Sequence, residues 1–414
     1  MKMVRFIIEK IKNNYMLFFC FYFITIFVDI TTLKIDYPIT ETICKIVRYV
    51  TYIMFTFRFI VILPDIIKNV KKIKIKDKNV IITIVLLVVL LISIVGNFIV
   101  TGDKRLIFLL LVLLSSYDTN CDDIVKKMMR MQMLLTIIIV TLSIFGITQN
   151  YIVLRGAKYR YSLGFSYTTY LAQLIMFSTV LFLYTRKFKI DFIQIGYIQI
   201  LNLFTYFITD SRTEFIFLEV IIIISVIYNL SCLNVFTKMK KGISSLFSYC
   251  FWIYPIISFV IVVMYPIGGI FIKINKLVSN RLSQTFGVLK EYGLSLFGNN
   301  IEFIGNGIVE TLKYGPNIKS NFVDNEYMQL LFKHGLLFMI AFVILLSIML
   351  INLNKNRDYK KIFVCCIYLT FGLLNPRILN LVYSPILFIL MYEIIRIINS
   401  NNKELEFNNE KFNN

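Results

Sequence analysis

The chain has 414 residues, of which 58% are apolar and 16% charged, and its mean hydropathy is +0.74. A soluble domain usually carries about 25% charged residues and fewer apolar ones, so this composition excludes a soluble enzyme. A fold of this length can bury only part of its Ile, Leu, Val and Phe side chains, so the remainder must face lipid. The 7 cysteines are scattered without a Cys-x-x-Cys pair, which excludes a secreted disulfide scaffold.

Apolar stretches, taken in chain order, predict about twelve transmembrane helices, because a membrane-spanning helix needs about 20 apolar residues. The fold class is therefore expected to be all-α, as a single polytopic membrane domain over residues 1–414. The predicted segments are 15–33, 46–64, 79–99, 104–118, 131–149, 165–184, 190–209, 213–231, 245–266, 326–351, 361–375 and 379–397.

The net charge of +20 at first points to a nucleic-acid partner, but the positions of the basic residues give a different explanation. When the connecting segments are assigned alternately to the two sides, Lys and Arg concentrate on one side. The positive-inside rule then places both termini in the cytoplasm, with residues 399–414 as a short cytoplasmic tail. The membrane topology and contact with lipid headgroups therefore account for the positive charge, and no nucleic-acid partner is expected. The basic segments are near 2–12, 68–78, 186–189, 238–241 and 355–361.

One predicted extracytoplasmic segment, 268–323, is much longer than the others, and loops of that length in compact proteins tend to be functional. From Ile274, apolar residues recur at helical spacings, which predicts an amphipathic helix lying along the membrane surface. Its polar side carries Arg281. Turns rich in Gly and Asn, at 298–300 and 305–307, then lead toward Asp324.

Arginines near the external side are candidates for binding an anion, although an arginine at a helix end usually anchors in the headgroups. Ser211 and Glu214 have the spacing of a capping box, which puts Arg212 at the first position of the next helix. The macrodipole disfavours a cation there by about 0.3 to 1 kcal/mol, so an anion is expected nearby. A helix N-terminus with a guanidinium suits a diphosphate. The external arginines are Arg48, Arg105, Arg155, Arg160, Arg212, Arg281 and Arg377.

Asp324, just before the predicted helix at 326, has two interpretations. It is either the N-cap of that helix or a carboxylate that serves as a general base beside the external arginines. His334, the only histidine in the sequence, is expected to be structural or to orient an acceptor. Metal-ligand spacings, Gly-x-Ser-x-Gly and Walker motifs are missing from the sequence, so neither a metal nor another cofactor is expected.

Three stretches resemble the O-antigen ligase-like superfamily, specifically the Wzy-type polymerases of capsular and O-antigen polysaccharides. Residues 211–213 are similar to the family's Ser-Arg motif, 280–282 to its Gly-Arg element, and 324–331 to its His/Asp-Asn-x-Tyr-Leu block. Arg160 with 164–172 is a fourth, weaker match, where the family often has Gly-x-x-His-Pro-Asn. Asp324 stands where ligases typically carry histidine, so the resemblance favours a polymerase.

The resemblance implies that the protein polymerises polyprenyl-diphosphate-linked oligosaccharides on the outer face of the cytoplasmic membrane, without a metal. A flippase and a chain-length regulator are the implied protein partners. Two alternatives stay open: a lipid-linked oligosaccharide flippase or other transporter, and a ligase that transfers to another acceptor. The implied site residues are Arg281, Arg212 and Asp324 for catalysis, and Arg160, Asn325 and Tyr327 for substrate binding.

Overall fold

A computed structural model describes residues 9–71, 78–155, 157–188, 190–230, 234–305, 307–315 and 320–412. Residues 2–5, 72–76, Lys189 and Asn306, which belong to the predicted basic segments and glycine turn, lie outside the described residues.

Almost all regular structure in the described chain is helical. Helices suit a chain this apolar, because in lipid a helix satisfies its backbone hydrogen bonds internally. The helices are α1 (Tyr15–Val28), α2 (Leu33–Asp36), α3 (Pro38–Lys71), α4 (Lys78–Thr101), α5 (Arg105–Leu114), α6 (Cys121–Ile144), α7 (Tyr170–Thr185), α8 (Phe192–Thr209), α9 (Arg212–Leu230), α10 (Asn234–Cys250), α11 (Ile253–Met264), α12 (Ile270–Leu277), α13 (Arg281–Tyr292), α14 (Ile308–Tyr314), α15 (Glu326–Lys355), α16 (Tyr359–Phe371) and α17 (Ile386–Phe412).

Two short strands, β1 (Ile152–Arg155) and β2 (Lys158–Tyr161), form an antiparallel hairpin between α6 and α7. Val153 pairs with Arg160 in this hairpin. The hairpin is a two-stranded sheet in an otherwise mostly helical described fold, and it carries one of the predicted site residues, Arg160.

Each of the predicted membrane segments overlaps at least one helix. Within the described residues, 5 helices are long and apolar enough to cross a membrane, or 6 if the bent pair Lys241–Cys250 and Ile253–Ile267 forms one span. The all-α membrane class is thus confirmed, whereas the number twelve stays a prediction. The spans are Pro38–Lys68, Lys78–Thr101, Cys121–Ile144, Phe192–Thr209 and Glu326–Lys355.

The core lies around α15, which packs against α4, α10, α11, α16 and α17. Its central window is 56% buried, against 22% to 28% for the other four spans, so it is enclosed by protein while the others face outward. Phe332 and Leu345 on α15 have no exposed surface. The N-terminal end of this enclosed helix is therefore a fixed point on which a site can be built.

The long loop that was predicted to be external is anchored in a break of α15. Gly335 interrupts the helix with a φ of 89°, a conformation that favours glycine. The loop enters this break, and the buried Asn97 amide of α4 donates to the carbonyls of Phe297 and Lys333 at 2.7 and 2.8 Å. A Cβ at Gly335 would lie 2.4 Å from the backbone nitrogen of Gly298, so a larger residue cannot occupy this position without moving the loop.

The helical periodicity predicted from Ile274 is present, but it forms two helices. α12 ends at Leu277 and α13 begins at Arg281, with Ser279 and Asn280 at positive φ between them. The Asn275 side chain holds this break, because its Oδ1 accepts from the Ser283 amide at 3.0 Å. The expectation of one continuous helix is therefore wrong, and Arg281 is the first residue of the second helix.

Candidate functional site

Arg281 and Asp324 form an ion pair just outside the first turn of α15. Arg281 Nε lies 3.0 Å from Asp324 Oδ2, and Arg281 Nη1 donates to the Leu374 carbonyl at 2.8 Å. Both side chains are partly exposed, at 34% and 23%, so a ligand can reach them. They meet because α13 packs against α15. Two of the predicted catalytic residues are thus adjacent.

Asn325, and not Asp324, is the N-cap of α15. Its Oδ1 accepts from the Met328 amide at 3.1 Å, and its Nδ2 donates to Ser258 Oγ and to the Leu373 carbonyl. The interpretation of Asp324 as the cap is therefore wrong. The same contacts occupy both ends of the Asn325 amide and give it a structural role, while its role in sugar binding stays a prediction.

The surroundings of Asp324 change its acidity. Burial raises the pKa of its carboxyl, and the nearby positive charges of Arg281 and Arg377 act against that rise without cancelling it. A carboxylate of raised pKa accepts a proton more readily than an exposed aspartate. The pair therefore combines a proton acceptor with a guanidinium that can hold an oxyanion.

Arg377 acts on the Asp324 carboxyl, although the sequence did not separate it from the other arginines that were predicted to be external. Its Nε donates to Gln173 Oε1 at 2.7 Å, and its guanidinium lies 5.0 and 4.7 Å from the ring centres of Tyr170 and Tyr383. Gln173 also donates to Glu214 Oε1 at 2.9 Å. Arg377 thus lies on two aromatic faces in a buried polar network. The sequence could not show this, because Gln173 lies 204 residues away from Arg377 along the chain.

Arg212 begins α9, as predicted, but the predicted capping box does not form. Glu214 is 4% exposed and accepts from Gln173 of α7. Ser211 Oγ has no hydrogen-bond partner in the described part of the chain. The correction has a physical cause: the buried Glu214 carboxylate accepts from Gln173 of a neighbouring helix and from its own backbone amide. Arg212 itself is 68% exposed, with Nε 3.8 Å from Asp210 Oδ1.

Arg160 supports the turn that presents Arg212. Its Nε donates to the Thr209 carbonyl, the last residue of α8, at 2.6 Å. The guanidinium is buried, burial lowers its pKa, and Nη2 has no hydrogen-bond partner among the described residues. Arg160 therefore holds the turn before Arg212 in place through the Thr209 carbonyl. Its Nη2 has no partner among the described residues and is a donor that a ligand could use if the side chains around it moved.

Tyr327 lies in the packed interior. It is 1% exposed, and its hydroxyl donates to the Leu369 carbonyl at 2.6 Å. The buried phenol supports α15 against α16 through this hydrogen bond, and the role of Tyr327 in the sugar site stays a prediction. Its position two residues after Asn325 in the sequence motif did not predict this burial.

The described residues include no group of three or more His, Cys, Asp or Glu side chains that could hold a metal ion. The site consists of guanidinium and carboxyl groups, which are suited to binding an oxyanion and moving a proton. No family model, no curated protein and no solved structure matches the chain.

Proposed function

We propose that this protein polymerises polyprenyl-diphosphate-linked oligosaccharides into a surface polysaccharide on the outer face of the cytoplasmic membrane. The proposal includes the twelve-span topology, with both termini in the cytoplasm and 268–323 outside. It also includes the flippase and the chain-length regulator as partners. The resemblance of residues 211–213, 280–282 and 324–331 to Wzy-type polymerases supports it.

In the proposed reaction, an acceptor hydroxyl oxygen attacks the anomeric carbon of the growing chain. The bond from that carbon to the diphosphate oxygen breaks, and the diphosphate leaves with the electron pair. The hydroxyl proton passes to the Asp324 carboxylate. Arg281, together with Arg212 at the start of α9, stabilises the negative charge that develops on the diphosphate. Each such donor is worth about 2.7 to 4 kcal/mol in a transition state.

The observation that carries the proposal is the ion pair between Arg281 Nε and Asp324 Oδ2 at 3.0 Å. Glycosyl transfer from a lipid diphosphate needs a cation at the leaving group and a base at the acceptor hydroxyl. The two groups must be close enough to act on the same reacting substrates. Because Asn325 supplies the cap of α15, Asp324 is free for the second task. Arg377 adds a second guanidinium that acts on the same carboxylate.

Deleting the gene in its native cell tests this function. We expect high-molecular-weight polysaccharide to disappear while single lipid-linked repeat units accumulate on the outer face. The readout is the ladder of chain lengths, together with labelling of external sugars in intact cells. Repeat units confined to the cytoplasmic face would instead favour the flippase alternative and contradict a polymerase.

A further inference from the structure

A second feature lies at the external end of the protein, beside the proposed catalytic pair. A cavity of about 570 Å³ lies between α1, α3, α5, the start of α15 and the long loop; it is named here the external cavity. This volume is within the usual range for small-ligand sites, about 300 to 1,000 Å³. Its walls combine aromatic rings, among them Tyr22, Tyr52 and Phe303, with the cations Arg48, Arg105 and Lys333.

The cations of the external cavity exceed the carboxylates paired with them. Asp103 is shared between Arg105, at 2.9 Å, and Lys333, at 3.7 Å. On the opposite wall, Asp29 is shared between Arg48, at 2.7 Å, and Lys34. Each of these carboxylates can neutralise one cation only. Because Lys34 does not line the cavity, the excess positive charge lies at Arg105 and Lys333, which share Asp103. Such charge in a partly enclosed space attracts an oxyanion.

The acidic residues that also line the cavity do not cancel this excess. Glu326 Oε2 accepts from the Ile378 amide at 3.0 Å, and the Arg377 guanidinium lines the same wall. Glu302 is 75% exposed and lies 3.9 Å from Lys313, a cation outside the cavity. The remaining positive charge is therefore that of Arg105 and Lys333, because Asp103 neutralises only one of these two cations.

His334 gives an independent sign that a ligand belongs here. The side chain lines the external cavity, is 7% exposed, and its Nδ1 has no hydrogen-bond partner among the described residues. Buried polar atoms are almost always hydrogen-bonded, and leaving one unpaired costs about 1 to 3 kcal/mol. A ligand with hydroxyl groups would supply the missing partner.

We propose that the external cavity binds an acidic sugar of the oligosaccharide, with its carboxylate between Lys333 and Arg105 and a hydroxyl near His334. This inference rests on the proposed function, because it specifies the substrate class of the same enzyme. Arg281 and Asp324 do not line the cavity, whereas Arg377 lines it and also acts on Asp324. One oxyanion position thus lies at the catalytic pair and a second in the cavity. A substrate that fills both has a diphosphate and a further acidic group.

The test is a titration of the purified full chain in nanodiscs with three soluble probes: glucuronate, glucose and inorganic diphosphate. We expect glucuronate to bind and glucose not to bind. Lys333→Gln and Arg105→Gln should each weaken glucuronate binding by about 10- to 100-fold, the effect of losing one charged hydrogen bond. Lys333→Arg should retain most of the affinity. The control is Lys290→Gln, an exposed cation on α13 outside the cavity, which should bind as the wild type does.

Arg105 is suitable because its side chain is 75% exposed, so its replacement leaves the packing intact even if Lys333→Gln fails to fold. Equal binding of glucose and glucuronate, or glucuronate binding unaffected by Arg105→Gln, would overturn the proposal. Diphosphate binding that depends on Arg105 and Lys333, without glucuronate binding, would also overturn it and assign the cavity to the lipid diphosphate. The titration requires no polymer formation, so its failure is distinct from failure of the polymerase proposal.

Discussion

Replacing Arg281 by alanine should abolish long-chain polymer while single repeat units still reach the outer face. Arg281 is the guanidinium paired with Asp324, and removing one such donor from a developing oxyanion costs about 10²- to 10³-fold in turnover. Arg281→Lys should recover little, because an ammonium cannot reproduce the planar fork of donors. The measurement is the distribution of chain lengths at matched membrane-protein level.

The matched control for Arg281→Ala is Lys290→Ala, which removes another cation from the same helix. Lys290 is exposed and lies about 13 Å from Arg281 along the helix axis, so the variant should give the wild-type ladder. Wild-type chain lengths in Arg281→Ala would return this arginine to the role of a headgroup anchor and remove it from the site.

Replacing Asp324 by asparagine should lower turnover by about 10²-fold or more, because the amide cannot take a proton from the acceptor hydroxyl. Asn325→Ala is the matched variant for the helix start. It should cost about 1 kcal/mol of stability with little loss of turnover per folded molecule. Asp324→His restores the ligase-like pattern and should retain part of the activity. The readout is polymer formed per amount of folded protein.

The Asp324 site also has a pH signature. A general base works in its deprotonated form, so turnover is present above the pKa of Asp324 and is lost as the pH falls through it. Because burial raises that pKa, the acidic limb of the profile should lie above the range of an exposed aspartate. A silent Asp324→Asn, or a variant that keeps the wild-type acidic limb, would contradict the role of Asp324 as a base.

The helices were predictable because each rests on a local signal. Apolar runs bounded by charge give the membrane helices, and the periodicity after Ile274 gives the loop helices. The break between α12 and α13 was not predictable, because it depends on Asn275 bonding to the Ser283 amide. The break of α15 depends on Asn97, which lies more than 200 residues away in the sequence. Contacts of this kind produce no periodic pattern in the sequence.

The candidate site, too, was predictable only where the signal is local. Arg281 and Asp324 were identified from their positions, but their pairing required α13 to pack on α15. Asp324 and Asn325 are both good caps, so the sequence could not decide which side chain bonds to Met328. The capping box at Ser211 failed because Gln173 of another helix binds Glu214. Local propensity was overridden where a buried polar group found a tertiary partner.

The most direct test of the central claim is to count the products of the purified full chain in nanodiscs supplied with a polyprenyl-diphosphate-linked oligosaccharide. The proposed reaction breaks one bond to the diphosphate for each glycosidic bond that it forms. We therefore expect one polyprenyl diphosphate released per new glycosidic bond, in the presence of EDTA. Oligosaccharide that crosses the bilayer with its diphosphate intact, and without chain growth, would contradict the claim.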